Sequence, residues 1–246
     1  MRLLHHTGAY LILMKKALSR PERFSVLYRQ TMREVEKVGI SSFPIVVIVS
    51  VFVGAVITIQ TNFNIESAIL PRYVVGVTVR DSLLLEFSST MVALILAGKV
   101  GSSIASELGM MRVTEQIDAL DVMGINSASH LILPKMIAAV LFFPILCLLS
   151  MIVGLAGGYL ACVLADVIPT ADYIYGIQYV FYPYYISYAL TKMVFYALII
   201  TSVSSYMGFK VQGGAIEVGK ASTRAVVQCS VLILLANLIL TRIILQ

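Results

Sequence analysis

Four long apolar tracts without a charged side chain dominate this sequence. They cover residues 38–65, 136–165, 193–209 and 225–241. A helix needs about 20 mostly apolar residues to cross the hydrocarbon core of a bilayer, and each tract meets that length alone or with its flanks. A fifth tract, 82–104, is apolar except for Glu86 and Lys99. These tracts predict an all-α membrane protein with about five transmembrane helices.

Basic residues beside the first tract indicate the orientation. Lysines and arginines outnumber glutamates in residues 1–37, and such a bias marks the cytoplasmic side of a membrane. The N-terminus is therefore predicted inside and, after five crossings, the C-terminus outside. We expect two parts, an interfacial segment at 1–37 and a single transmembrane domain at 38–246. Apolar and basic residues alternate in the first part as in a helix lying in the membrane interface: Leu4, Leu11, Met14, Leu18, Lys15, Lys16 and Arg20.

The tracts and their flanks also predict where each span begins and ends. The spans are expected at 40–61, 82–104, 131–165, 186–207 and 224–245. Two segments then lie outside: 62–81, an outer loop with Arg72 and Arg80, and 166–185, which is rich in tyrosine, a residue typical of the headgroup level. The third span is overlong and contains two prolines, so we expect a kink or break in it.

A charged island, residues 105–124, separates the second and third spans. Apolar residues recur there at helical spacing, and acidic residues lie three apart on another face: Val113, Ile117, Leu120 and Met123 against Glu115, Asp118 and Asp121. A carboxylate in hydrocarbon costs roughly 2.5–3.5 kcal/mol, so the island is predicted to be a surface helix that offers an acidic face to the cytoplasm. The alternative is a solvated helix that only links two spans.

Residue patterns typical of enzymes, metal sites or nucleic-acid binding are not found. The three cysteines lie in apolar tracts without paired spacing, and the three histidines form no metal-binding pattern. Residues 214–221 match most of a Walker A loop, but no strand precedes them and Ala221 replaces the magnesium-binding Ser or Thr. We expect no catalytic residue, no metal site and no ATPase motif in this chain. The net charge of +5 reflects basic residues beside the membrane and indicates no nucleic-acid partner.

Two sequence blocks resemble a known family. Residues 97–102, AGKVGS, and residues 107–120, ELGMMRVTEQIDAL, are similar to the signature of MlaE-type permeases. These permeases are the membrane subunits of ABC transporters that move phospholipids with MCE-domain partners. The resemblance extends to 53–60 and 219–227, and it covers the chain from about residue 38 to residue 242. One departure is that the family commonly reads Arg-Glu-Leu-Gly-Pro where residues 85–89 read LEFSS, which implies a differently shaped helix.

The resemblance implies a set of partners and a place in the cell. A separate ABC ATPase subunit would hold ATP and magnesium, a second copy of this chain would complete a homodimer, and an MCE-domain protein would exchange phospholipid on the outer face. The protein would lie in the inner membrane with a periplasmic C-terminus. Whether a STAS-like subunit is present stays open, as do the identity of the lipid and the direction of transport.

The resemblance also implies two groups of site residues. The 105–124 segment would be the coupling helix that docks into the ATPase, with these residues at the contact: Glu107, Arg112, Glu115, Gln116, Asp118 and Asp121. Residues lining the lipid path would be Ile57 and Gln60 in span one and Glu86 in span two.

Glu86 is the most informative single residue within a span. Lys99 lies 13 positions later, about 20 Å along a helix, so the two side chains cannot pair within one helix. Glu86 therefore needs another partner, water in a cavity, or a proton. Two alternatives stay open at this point. Glu86 extends to the outer headgroups without a function, or the chain is a secondary transporter or channel that uses Glu86 for ion or proton coupling.

Overall fold

A computed structural model describes the backbone of residues 2–19, 24–65 and 71–245 and the side chains of residues 7–19, 24–65 and 71–244. Helices cover nearly all of these residues, and no strand occurs among them, which confirms the predicted all-α class. The helices of the described ranges are α1 (Arg2–Leu18), α2 (Phe24–Glu34), α3 (Phe43–Asn64), α4 (Tyr73–Ser82), α5 (Ser88–Leu96), α6 (Ser102–Val113), α7 (Gln116–Val122), α8 (Ser127–Ala165), α9 (Thr170–Gln178), α10 (Tyr184–Phe209) and α11 (Ala215–Leu245).

Five helical stretches of the described chain are long and apolar enough to cross a membrane, as predicted. They are Phe24–Asn64, Tyr73–Val113, Ser127–Ala165, Tyr184–Phe209 and Ala215–Ile244. The first two contain 41 residues each. A helix of that length measures about 60 Å, roughly twice the thickness of the hydrocarbon core. Both stretches therefore extend well beyond the apolar layer.

Three π-helical turns lie inside the first two stretches. They are Val35–Gly39, Leu83–Phe87 and Ala97–Gly101, and the first is followed by a 3-10 turn at Ile40–Ser42. A π turn holds an additional residue while the helix continues on both sides, and such turns are frequent at functional sites. Glu86 lies in the second turn, where the sequence departs from the family pattern. The third turn coincides with the AGKVG motif.

The chain divides into two compact units, each built from parts of several spans. The first unit comprises Met1–Ser42, Ala93–Phe143 and Val194–Thr241. The second unit comprises Phe43–Val92, Pro144–Met193 and Arg242–Gln246. The predicted division of the chain at residues 37 and 38 stays a prediction.

In the second unit, a helix replaces most of the predicted outer loop. Residues 73–81 lie in α4, which packs against α9. Val75 and Val79 of α4 are buried in one apolar cluster with Ile57 of α3 and Tyr173 of α9. This burial stabilises a valine-rich stretch as a helix, against its weak intrinsic preference. Residues 66–70 of the predicted loop lie outside the described residues.

Arg80 was predicted to lie in an outer loop, but its side chain is part of the packed structure. Its guanidinium donates to the carbonyl oxygens of Ile177 at 2.9 Å and Tyr179 at 2.6 Å, and its Nε donates to Asp81 at 2.8 Å. The side chain is almost fully buried. A cation that satisfies the last carbonyls of a helix stabilises that helix end, so Arg80 holds the C-terminus of α9.

Tyr173 joins α9 to α8. Its hydroxyl donates to the carbonyl oxygen of Leu155 in α8 at 3.1 Å. Burial raises the pKa of Tyr173 to about 12, so the hydroxyl keeps its proton at neutral pH and remains a donor.

Glycines allow α3 and α8 to meet backbone to backbone in the second unit. A Cβ atom on Gly54 would lie 1.8 Å from the carbonyl oxygen of Gly154, and one on Gly157 would lie 2.2 Å from the carbonyl oxygen of Val51. No side chain fits at either position. Contacts between small residues are the usual way in which helices approach closely in membranes.

The third span continues without the break that its prolines predicted. Pro134 and Pro144 both lie inside α8, a single helix of 39 residues. Each proline removes one backbone donor, but neighbouring helices support membrane helices through such positions. A break at either proline is therefore wrong, whereas a kink within the continuous helix stays a prediction.

In the first unit, the N-terminal segment forms two helices where one interfacial helix was expected. Helix α1 spans the predicted pattern, and Leu11 and Leu18 are exposed. Arg20 and the side chain of Leu4 lie outside the described residues. Helix α2 follows and runs through the first π turn into α3, so the second helix leads directly into a span.

Candidate functional site

The intramembrane carboxylate of Glu86 has a partner that the sequence did not reveal. Its Oε2 lies 2.9 Å from Nζ of Lys192, and its Oε1 accepts a hydrogen bond of 2.8 Å from the Thr90 hydroxyl. Nζ of Lys192 also donates to the Tyr188 hydroxyl at 3.2 Å and to the carbonyl oxygen of Leu85 at 3.4 Å. The predicted need for a further partner is thus met by an ion pair within the second unit.

The burial of the two charged side chains is unequal. The Lys192 side chain is 0% exposed, and the Glu86 side chain is 41% exposed. An isolated ammonium group is costly in an apolar interior, so Lys192 depends on its carboxylate and its oxygen partners. Glu86 faces outward from this contact. The pair therefore presents a carboxylate edge backed by a buried cation.

Local spacing explains how the cluster forms. Tyr188 and Lys192 are four residues apart on α10 and lie on one face, and the Lys192 ammonium lies 4.8 Å from the centre of the Tyr188 ring. Thr90 follows Glu86 by four residues on the next helical turn. Lys192 is the basic residue of the predicted span 186–207. A lone basic residue in another span is the signal for this partner in the sequence, and the spacing within span two does not contain it.

The other two predicted residues of the lipid path do not share one environment. Ile57 is 9% exposed and belongs to the buried cluster with Val75 and Tyr173. Gln60, three residues later on α3, is exposed. The structure thus places Ile57 in the core of the second unit and leaves Gln60 and Glu86 accessible.

The 105–124 segment consists of two helices, not the single helix that its spacing predicted. Helix α6 ends at Val113, and the short α7 begins at Gln116. Glu115 between them has a φ of 60°, a left-handed conformation that ends the helical run. The Thr114 hydroxyl donates to the carbonyl oxygen of Met110 at 2.9 Å. A β-branched threonine whose hydroxyl bonds to the carbonyl oxygen four residues earlier weakens the helix locally, which favours a helix end there.

The break between α6 and α7 determines which side chains of the segment are exposed and which are buried. The exposed candidates are Glu115, Gln116, Asp118 and Asp121. Ile117 is fully buried, as its apolar spacing predicts, but Met123 is 65% exposed and its neighbour Val122 is 88% exposed. Met123 therefore does not share the burial of Ile117, although both residues belong to the apolar spacing. The exposed surface combines acidic groups with a small apolar end, a composition typical of protein contact sites.

Arg112 and Glu107 make contacts within the chain. Arg112 lies 2.6 Å from Asp118, so this pair bridges the break between α6 and α7. Glu107 is partly buried and lies 2.7 Å from Lys37 and 3.0 Å from Lys135. Glu107 therefore faces the N-terminal segment of its own chain. Lys99, the other charged residue of span two, also has a partner within the chain, since it donates to the carbonyl oxygen of Ser41.

Comparisons with known proteins bear on the identity of the chain. The family described as Permease MlaE matches residues 31–243. A probable ABC transporter permease protein of Rickettsia bellii is 33% identical over 98% of this chain and 93% of its own length. The protein TRIGALACTOSYLDIACYLGLYCEROL 1, chloroplastic, of Arabidopsis thaliana is 32% identical over 87% of this chain and 61% of its own length.

A third relative connects the chain with lipid-related transport systems. The intermembrane phospholipid transport system permease protein MlaE of Haemophilus influenzae is 28% identical over 86% of this chain and 81% of its own length. The family match covers most of the sequence, and the five apolar helical stretches fit a membrane permease. The chain belongs to the MlaE permease family.

Proposed function

We propose that this chain is the permease subunit of an ABC transporter that moves phospholipid, or a related lipid, between the inner membrane and an MCE-domain partner. The transport would supply lipid to the outer membrane or retrieve lipid from it. Family membership and the names of the relatives support a lipid-transport permease. The chain is organised as an N-terminal segment, 1–37, and a permease domain, 38–246, with coupling residues at 105–124.

The Glu86–Lys192 pair is the observation that carries the lipid part of the proposal. A phospholipid needs an apolar path for its tails and a few polar groups for its headgroup. The pair places one accessible carboxylate and one buried ammonium within otherwise apolar spans. A zwitterionic headgroup carries the same two charges, so it can interact with the carboxylate edge without leaving a net charge in the membrane. Gln60, which is exposed on α3, is a further candidate for the path, and Ile57, which lies in the buried cluster, stays a prediction from the sequence.

The exposed surface of the 105–124 segment supports the coupling part. The acidic side chains Glu115, Asp118 and Asp121 and the apolar Val122 and Met123 reach solvent together. A groove of a separate ATPase subunit, with basic rims and an apolar floor, complements this composition. ATP and magnesium bind to that subunit, and this chain converts its movement into lipid transfer.

The remaining partners follow from the same mechanism. Two ATPase subunits close on two ATP molecules, so two copies of the permease form a homodimer. The N-terminus and the 105–124 segment lie in the cytoplasm, and the C-terminus and the MCE-domain protein lie in the periplasm. An ion-coupled secondary transporter is less consistent with the pair, because Glu86 is already neutralised by Lys192.

Lipid photocrosslinking in cells tests the proposed path. A photoreactive residue is placed at position 57, 60 or 86, and at Leu238 of α11, which is 70% exposed and serves as the control for bulk lipid. We expect lipid adducts at position 60 or 86 that depend on an ATPase able to hydrolyse ATP, and adducts at 238 that do not. Robust adducts at 238 with none at 57, 60 or 86 would exclude a path along spans one and two.

A further inference from the structure

Four side chains of alternating charge form an ion ladder in the first unit. The ladder runs Glu34, Lys135, Glu107, Lys37. Lys135 Nζ lies 2.7 Å from Glu34 Oε1 and 3.0 Å from Glu107 Oε2, and Lys37 Nζ lies 2.7 Å from the same Glu107 oxygen. The Lys135 side chain is 3% exposed. A cation this deeply buried needs both carboxylates, because removing a partner would leave a buried charge uncompensated.

The ladder joins three separate parts of the chain. Glu34 ends α2 and Lys37 lies in the π turn that follows it, Glu107 lies in α6, and Lys135 lies in α8. The other carboxylate oxygen of Glu34 is buried and has no hydrogen-bond partner among the described residues. Lys135 therefore supplies the contact that holds this carboxylate. The N-terminal segment is thus fastened to α6, six residues before that helix ends at Val113.

A second set of contacts fastens the N-terminal segment beyond the far end of α7. The Asn126 side-chain amide donates to the carbonyl oxygens of Lys16 and Ser19, both at 2.9 Å, and so caps the C-terminus of α1. Lys16 also lies 3.7 Å from Asp121. The stretch between Glu107 and Asn126 is therefore held at both ends by one N-terminal segment, and its exposed middle is left to meet a partner.

We propose that Lys135 is a positioning residue through which the N-terminal segment holds the coupling segment in the orientation that the ATPase requires. This inference rests on the proposed function. A force on the exposed residues around Glu115 then passes to α1 and α2 as well as to the spans. The N-terminal segment belongs to the coupling machinery and is more than a membrane anchor.

The experiment measures lipid transferred per ATP hydrolysed. The permease, its ATPase and its MCE-domain partner are purified as a complex and reconstituted in vesicles of phosphatidylethanolamine and phosphatidylglycerol, with a fluorescent phosphatidylethanolamine as the probe. The test variants are Lys135→Glu and Glu34→Gln. The matched control is Lys220→Glu, because Lys220 is an exposed lysine that pairs with Glu217 near the start of α11.

We expect Lys135→Glu to keep the ATPase bound but to lower the transfer ratio by at least about fivefold, and Glu34→Gln to lower it less. The fully inverted ladder restores the alternation of charge: Glu34→Lys, Lys37→Glu, Glu107→Lys and Lys135→Glu. It should return the ratio to within about threefold of the original protein. A residue needed only for folding would instead lower the melting temperature and the yield, and leave the ratio of the folded complex unchanged.

Two results would overturn the inference. One is a wild-type ratio in both Lys135→Glu and Glu34→Gln. The other is an inverted ladder that melts like the original protein yet transfers lipid no better than Lys135→Glu. If Lys135→Glu does not fold, Glu34→Gln and the inverted ladder decide. A complex without substitutions that shows no ATP-dependent transfer would refute the proposed function itself, and the inference with it.

Discussion

The unequal burial of Glu86 and Lys192 predicts unequal costs when either charge is removed. Glu86→Gln leaves an ammonium group that is 0% exposed without its carboxylate. Lys192→Met leaves a carboxylate that is 41% exposed and still accepts the Thr90 hydroxyl at 2.8 Å. The second group is therefore much less buried than the first. We therefore expect Glu86→Gln to be the more destabilising substitution.

The magnitudes follow from the geometry. Two unit charges 2.9 Å apart attract by about 6 kcal/mol at an effective dielectric constant of about 20. The partial exposure of the Glu86 side chain reduces this attraction. Leaving a buried ion unpaired costs about 3–5 kcal/mol, which we assign to Glu86→Gln. Losing a hydrogen-bonded partner at a half-exposed group costs about 1–3 kcal/mol, which we assign to Lys192→Met.

The free energy of unfolding is measured by SDS titration in mixed micelles and followed by circular dichroism, because the chain contains no tryptophan. Glu217→Gln is the control for an exposed ion pair and should leave the free energy of unfolding nearly unchanged. The double variant, Glu86→Gln with Lys192→Met, should be more stable than the sum of the single changes indicates. The reasoning is refuted if Lys192→Met costs as much as Glu86→Gln, or if the two costs add.

Three further predictions concern other parts of the chain. Glu115→Lys with Asp118→Lys should weaken binding of the ATPase by about 2–5 kcal/mol and leave the permease inserted in the membrane. Co-purification measures the binding, and the control Glu217→Lys should not weaken it. A stoichiometric, active complex of the double variant would contradict the coupling role. Gly54→Leu should prevent stable folding, because a Cβ atom there would lie 1.8 Å from the Gly154 carbonyl oxygen. Gly219→Ala, which has open space around the added Cβ, should leave the melting temperature unchanged or raise it slightly. Equal melting temperatures of the two variants would contradict this packing. Arg80→Met should remove the hydrogen bonds to Ile177 and Tyr179 and lower the free energy of unfolding by about 2–4 kcal/mol. Limited proteolysis should then cut within residues 177–184 faster. An unchanged cleavage rate would mean that Arg80 does not hold α9.

The spans could be predicted from sequence because hydrocarbon imposes a simple condition on composition and length. Four charge-free tracts and one tract with only two charged residues, 82–104, identified all five candidate stretches. The condition does not apply beyond the apolar layer. Helix α4 was therefore missed, since its valines are stabilised by contact with Tyr173 and Ile57, residues far away in the sequence.

The candidate sites were predictable as residue types but not as contacts. Glu86 stood out because a carboxylate is rare in a span, yet Lys192 lies 106 positions later, and no local spacing connects them. Glu107 belonged to the coupling group by its place in the motif, and its contacts with Lys37 and Lys135 depend on how three helices pack. The helical spacing through 105–124 could not reveal the left-handed Glu115. One residue is enough to divide a periodic pattern.

The two π turns of span two, Leu83–Phe87 and Ala97–Gly101, border α5 on both sides. Each holds a residue that a regular α-helix would not accommodate. If one turn took up a residue and the other released one, α5 would turn by about 100° about its axis and slide by about 1.5 Å, and the helix would remain unbroken. The middle of span two would then shift by one residue relative to its surroundings. Glu86 in one turn and the AGKVG motif in the other would remain connected by a continuous helix.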